Sequence, residues 1–183
     1  MKNRLLLFCI LVLPLFLLIY QVLIQEVSDP IKYIYTYTGV CAIVLLFFTT
    51  SISLIKKKIN LIKNRRMIGL FAFFYAVLHF TNFYVLDSEL DIEFVIEESI
   101  DKPFVYLGMI SFLILLFMAI TSVKSLFKKY NKYHKLVYLV LVLITIHFIM
   151  AQKSLSIPQF GYLLIFITIG VLKYLQINKK IRT

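Results

Sequence analysis

Six long apolar stretches constrain this chain more than any other feature of its sequence. They cover residues 5–24, 37–55, 67–86, 104–123, 136–151 and 158–175. A membrane-crossing helix needs about 20 mostly apolar residues. With 61% hydrophobic residues among 183, the chain carries more apolar side chain than a soluble domain of this size could bury. We therefore expect one all-α domain, residues 1–183, that forms a polytopic bundle of six transmembrane helices.

Charged residues alternate between the two ends of these stretches. All nine acidic residues follow the first or the third stretch, and most of the 20 basic residues lie at the N-terminus or within residues 56–66, 124–135 and 173–182. The basic residues that break this pattern are Lys32, Lys102 and Lys153. Because Lys and Arg in short loops stay in the cytoplasm, we expect both termini to be cytoplasmic. The net charge of +11 then indicates contact with membrane lipids and not with nucleic acid.

Three histidines lie inside or at the edge of the predicted spans. His79 is in the third stretch, His134 is at the start of the fifth, and His147 is deeper in the fifth. Ionisable side chains are costly in a membrane, so each is either functional or hydrogen-bonded to a neighbouring helix. His79 and His147 both lie about 18 Å from the cytoplasmic end of their stretch. Two parallel helices that carry imidazoles at one depth can ligate one metal, and a b-type haem is the candidate in such a bundle.

The cytoplasmic level of the bundle has a different set of side chains. His134 lies about 20 Å nearer the cytoplasm than His147, and the third stretch carries Arg65 and Arg66 at that level. Arginine is a poor iron ligand but a good partner for a propionate or a phosphate. We expect either a second haem ligated by His134 or another anionic cofactor there. Alternatively, the arginines only fix the topology and His134 is solvated.

The sequence contains no motif for nucleotide, flavin or covalent haem binding. Its predicted loops are too short to hold a nucleotide or flavin domain. The two cysteines, Cys9 and Cys41, lie in apolar stretches and are expected to pack as small apolar residues. Any electrons must therefore come from a lipid-soluble quinol or from a separate protein.

Several short motifs follow one another in the chain from Asp29 onward. They are Asp29-Pro30; Thr38-Gly39; Arg65-Arg66-Met67-Ile68-Gly69-Leu70; Tyr75-Ala76-Val77-Leu78-His79; Lys102-Pro103-Phe104 with Gly108; Thr121-Ser122; and Tyr133-His134-Lys135-Leu136-Val137-Tyr138, ending at His147-Phe148. In order and spacing, they resemble the haem-binding membrane subunits of periplasmic protein-methionine-sulfoxide reductase systems. These subunits are the MsrQ type of the ferric-reductase-like transmembrane family.

This resemblance implies a function. It implies a subunit of the bacterial inner membrane with one or two haems b, and FMN is a further candidate cofactor. The subunit would pass electrons from quinol to a periplasmic molybdopterin-dependent methionine sulfoxide reductase, and that partner would carry out the sulfoxide reduction. His79, His134 and His147 match the family's haem histidines. The alternatives are a related ferric-reductase-type cytochrome b and a haem-free transporter or assembly factor with structural histidines.

Overall fold

The computed structural model describes residues 2–25, 27–55, 61–152 and 157–181. The α-helices in these ranges are α1 (Lys2–Ile24), α2 (Pro30–Ile55), α3 (Arg65–Thr81), α4 (Ile92–Asp101), α5 (Pro103–Ile120), α6 (Lys124–Tyr130), α7 (Val137–Met150) and α8 (Ile157–Ile181). Shorter segments are the 3₁₀-helices Ile62–Asn64 and Asn131–Leu136 and the π-helix Asn82–Asp87. The charges of Glu26, Lys56, Lys57, Lys58, Lys153 and Arg182, used above for the topology, lie outside the described residues.

Within the residues that the structure describes, five helical segments are long and apolar enough to cross a membrane. They are Arg4–Ile24, Pro30–Leu54, Ile62–Asp87, Pro103–Ile120 and Lys124–Met150. The prediction of a polytopic helical membrane protein is therefore confirmed. The sixth predicted stretch corresponds to α8, in which the apolar helical part is the shorter range Gln159–Leu172.

The second helix begins earlier than its hydropathy predicted. The apolar stretch starts at residue 37, whereas α2 starts at Pro30. Proline is favoured in the first turn of a helix because its missing N–H has no partner there. The Asp29 carboxylate accepts a hydrogen bond from the backbone N–H of Lys32 at 3.0 Å, as an N-terminal cap does. This additional helical length contains Tyr35, which contacts the site described below.

The charge pattern predicts the acidic segment after α3 as a loop between two spans, and this prediction is wrong because the segment contains the helix α4. The Asp91 side chain caps α4 by accepting hydrogen bonds from the N–H groups of Glu93 and Phe94, at 2.8 and 3.2 Å. Val95 is the buried residue of this helix. At 10 residues, α4 is too short and too acidic to span a bilayer, so a hydropathy scan does not detect it.

The core forms where two helix pairs meet. α2 packs along α3, and α5 packs along α7. Leu46 and Phe47 of α2, Ala72 of α3, Leu115 of α5 and Val140 of α7 belong to one buried cluster. α1 is attached to the first pair by a hydrogen bond of 2.9 Å from the buried Tyr75 hydroxyl to the Leu11 carbonyl. In lipid, such tight packing and interhelical hydrogen bonding hold helices together.

The two ends of the bundle differ in charge. α2 and α5 begin at the end that also carries Asp29, Asp87 and α4, and we call this the acidic end. α3 begins at the opposite end, which carries Arg65, Arg66 and α6, and we call this the basic end. The functional side chains described next lie towards the acidic end.

Candidate functional site

The structure places the imidazoles of His79 on α3 and His147 on α7 opposite each other across the bundle. Their ring centres are 6.3 Å apart and their planes are nearly perpendicular, at 88°. A metal held between two imidazole nitrogens at about 2.0–2.1 Å from each puts the ring centres about 6.4 Å apart. The pair therefore already has the separation that one shared metal requires.

Main-chain carbonyls orient both rings. His79 Nδ1 lies 3.1 Å from the carbonyl oxygen of Tyr35 on α2. His147 Nδ1 lies 2.6 Å from the carbonyl oxygen of Phe104 on α5. A carbonyl accepts, so in each ring Nδ1 is the protonated nitrogen and Nε2 keeps its lone pair. Metal-ligating histidines are usually held in this way.

A glycine makes room for each ring. A Cβ atom on Gly39 would lie 3.2 Å from Cε1 and Nδ1 of His79. A Cβ atom on Gly108 would lie 2.9 Å from Cε1 of His147 and 3.0 Å from its Nδ1. Each glycine follows its carbonyl partner by about one helical turn. α2 and α5 thus support the two histidines in the same way, with a carbonyl and then a glycine one turn later.

The two imidazoles line a cavity of about 720 Å³. Its volume is within the range of about 300–1,000 Å³ that is usual for sites of organic ligands. Small and apolar side chains such as Ala72, Ala76 and Leu115 form its inner wall, and aromatic rings including Phe80 and Phe112 add to it. Its charged lining residues, Asp29, Lys32, Asp87, Glu98 and Lys102, come from the segments at the acidic end.

The donor set fits a metal that brings some of its own ligands. Within the described residues, no group of three or more His, Cys, Asp or Glu could hold a bare ion. Protein sites for single transition-metal ions commonly need three or four protein ligands. Two opposed imidazoles in a large cavity suit a macrocycle such as haem, which would bring most of the metal's ligands itself and would be held by His79 and His147.

His134 is in a different environment from the other two histidines. It lies in the 3₁₀ segment at the basic end, half-buried, with Nε2 at 3.1 Å from the Thr121 hydroxyl and its ring against that of Phe127. Arg65 is half-buried at this end of the bundle, and Arg66 is exposed. In the part of the chain that the structure describes, none of these three residues lines the cavity. The bundle therefore separates His134, Arg65 and Arg66, at the basic end, from the pair of histidines that lines the cavity.

Comparison with known proteins shows what this chain is similar to. The family described as "Ferric reductase like transmembrane component" matches residues 56–149, which include all three histidines. The chain is 37% identical over 155 residues to the protein named "Protein-methionine-sulfoxide reductase heme-binding subunit MsrQ" of Pectobacterium atrosepticum, and the match covers 80% of this chain and 78% of that protein. This chain belongs to the ferric-reductase-like transmembrane family and is of the MsrQ type. It is a multi-pass protein of the bacterial inner membrane.

Other MsrQ proteins are similar over a smaller share of their length. The MsrQ subunits of Brucella ovis and Brucella canis are 35% identical over 133 residues, which is 69% of this chain and 60% of each relative. This chain thus spans less than two thirds of the Brucella relatives. No solved structure matches it.

Gly39, Gly108 and the Lys102-Pro103-Phe104 motif are part of the resemblance to the MsrQ type, but the sequence alone assigns no role to them. The carbonyl acceptors were not predicted at all. A carbonyl belongs to every residue, so no side-chain pattern identifies Tyr35 or Phe104 as the acceptor. The available signal was the pair of glycines in apolar helices, because Gly in a helix interior often marks a close approach.

Proposed function

We propose that this chain binds a haem between His79 and His147 and carries electrons to a methionine sulfoxide reductase. The observation that supports this most is the facing pair of imidazoles, each with Nδ1 at a main-chain carbonyl. The relatives from Pectobacterium and Brucella are named as heme-binding subunits of such a reductase. Because His134, Arg65 and Arg66 do not line the cavity, this part of the proposal does not include them.

The protein's own groups define the chemistry that such a site can perform. With His79 and His147 as the protein ligands that would hold it, a haem would supply a one-electron carrier. The Tyr35 and Phe104 carbonyls keep both Nδ1 protons in place and make both Nε2 atoms more basic. We propose that the partner reductase carries out the sulfoxide reduction, as the resemblance to the MsrQ type implies.

We propose six spans with both termini in the cytoplasm. α8 has 25 residues, which at 1.5 Å per residue gives about 38 Å; this exceeds a hydrocarbon core of about 30 Å, and the described apolar part of the helix is Gln159–Leu172. It packs on α2 through Phe166, whose ring centre is 5.9 Å from that of Phe47. With this topology the acidic end faces the periplasm, so the cavity lies near the soluble partner. We propose a molybdopterin-dependent reductase as that partner and quinol as the electron donor.

At the basic end we propose a second cofactor contacted by His134 and by Arg65 or Arg66. Because His134 Nε2 is at hydrogen-bonding distance from Thr121, the free nitrogen there is Nδ1. A second haem or FMN would each present acidic groups that an arginine can pair. Such a cofactor would act as an intermediate electron carrier between the two faces of the membrane.

Quinol-driven electron transfer tests the proposal. The full chain would be purified in lipid nanodiscs, reduced with ubiquinol or menaquinol, and mixed with a periplasmic methionine sulfoxide reductase and methionine sulfoxide. We expect the haem to become reduced and then to be reoxidised only when all components are present, and we expect the His147→Ala variant to fail. A purified protein without a Soret band would favour the haem-free transporter or assembly factor instead.

A further inference from the structure

Two lysines interrupt the acidic end of the bundle. Lys32 in the first turn of α2 and Lys102 just before α5 lie where the charge pattern otherwise places acids. Both line the cavity that contains His79 and His147. Among its described lining residues they are the only Lys or Arg side chains, whereas Asp29, Asp87 and Glu98 supply three carboxylates.

Each lysine is close in sequence to the carbonyl that holds one histidine. Lys32 precedes Tyr35 by about one helical turn, and Tyr35 accepts from His79. Lys102 precedes Phe104, which accepts from His147. The two cations therefore come from the two helices that support the metal ligands, one cation for each ligand.

Both ammonium groups can take a new partner. Lys102 Nζ is 2.6 Å from Glu98 Oε2, but its side chain is 50% exposed, so this ion pair is weak. Within the described residues, no ion pair or hydrogen bond engages the Lys32 ammonium, and its side chain is exposed. A lysine has a flexible stem with three donors at its end, so either group can turn towards an anion in the cavity.

We propose that Lys32 and Lys102 hold the two propionates of the haem, with its carboxylates directed to the acidic end. This inference rests on the proposed function of His79 and His147. The two propionate carboxylates would be repelled by the carboxylates of Asp29, Asp87 and Glu98 unless cations lie between them. The two lysines are the cations that the cavity provides, whereas Arg65 and Arg66 lie at the basic end.

A comparison of haem with its propionate dimethyl ester tests this directly. Each porphyrin is titrated into the haem-depleted full chain in nanodiscs, and binding is followed by the low-spin absorption of the bis-histidine complex. For Lys102→Met and for Lys32→Met, we expect the Kd for haem to rise about tenfold, equivalent to about 1.4 kcal/mol. The Kd for the ester should not change, because the ester has no charge for the lysine to meet.

Two further variants sharpen the comparison. Lys128→Met removes an exposed lysine at the basic end, and we expect it to leave both affinities unchanged. Glu98→Gln removes the competing carboxylate from Lys102, and we expect it to strengthen the binding of haem but not of the ester. Such a cycle isolates the coupling between one lysine and one propionate from effects on folding.

The outcomes separate this inference from the proposed function. If Lys32→Met and Lys102→Met raise the Kd of haem and of its ester equally, or raise neither Kd, the lysines do not bind propionates. This result would favour a role of the lysines in binding anionic lipid headgroups, which does not depend on whether the porphyrin is esterified. If the unsubstituted chain gives no bis-histidine spectrum with either porphyrin, the proposed function fails and this inference fails with it.

Discussion

Gly108 is the position at which the smallest change should disturb the site most. A Cβ atom there would lie 2.9 Å from His147 Cε1, whereas ordinary carbon contacts are about 3.5–4.0 Å. In Gly108→Ala, the ring must therefore move by roughly 0.6 Å or more, and coordination distances in metal sites tolerate only about 0.2 Å. The 2.6 Å contact between His147 Nδ1 and the Phe104 carbonyl limits movement along the helix. We expect haem affinity to fall about 10–100-fold, as when the partner of a metal-ligating histidine is lost.

Other glycines provide matched controls for this effect. A Cβ atom on Gly69 would meet only the Thr49 methyl group at 3.6 Å, which is an ordinary contact. Gly39→Ala should have an intermediate effect, since its nearest contacts to His79 are 3.2 Å. Haem content per protein and the low-spin absorption spectrum measure the outcome. If Gly108→Ala retains as much low-spin haem as Gly69→Ala, the fit between α5 and His147 is not what holds the ring.

Three further predictions concern topology and the supporting residues. A periplasm-specific reporter fused after Glu93 should be active and one fused after Lys129 silent; the reverse would place the acidic end in the cytoplasm. Arg66→Lys should lower both the content of the cofactor at the basic end and the rate of quinol-dependent electron transfer, because lysine cannot replace a bidentate guanidinium. If this variant and His134→Ala both leave the cofactor content and the rate intact, the proposed cofactor site at the basic end must be abandoned. Tyr35→Phe should keep haem content within about twofold, because it retains the main-chain carbonyl that orients the histidine of α3; a larger loss, measured by haem per protein, would assign the role to the hydroxyl.

The sequence predicted the long helices well because a bilayer imposes one simple requirement on them. Each span must be apolar for about 20 residues and must satisfy its own backbone, so hydropathy alone locates α1, α3, α5 and α7 to within a few residues. The same method placed the start of α2 too late, because the first turns contain Lys32 and Thr36. It also missed α4, whose start depends on the Asp91 cap and not on hydropathy.

The sequence predicted the site only in part, because depth along a helix does not determine how the helices pack. Equal depth on parallel helices indicated that His79 and His147 could face each other, and the structure places them together. Depth does not reveal which element from elsewhere in the chain lies behind each ring. The contacts of Tyr35 with His79 and of Phe104 with His147 depend on how α2 packs on α3 and α5 on α7. That packing is a tertiary property, and its local sequence signal is limited to the two glycines, Gly39 and Gly108.

Electron paramagnetic resonance of the purified, oxidised full chain tests the central claim most directly. Two imidazoles on one ferric haem give a low-spin signal, and ring planes near the observed 88° should make it strongly anisotropic. We expect this signal in the unsubstituted protein and its complete loss in both His79→Ala and His147→Ala. The claim would be contradicted if either variant kept the signal, or if the unsubstituted protein gave only a high-spin signal.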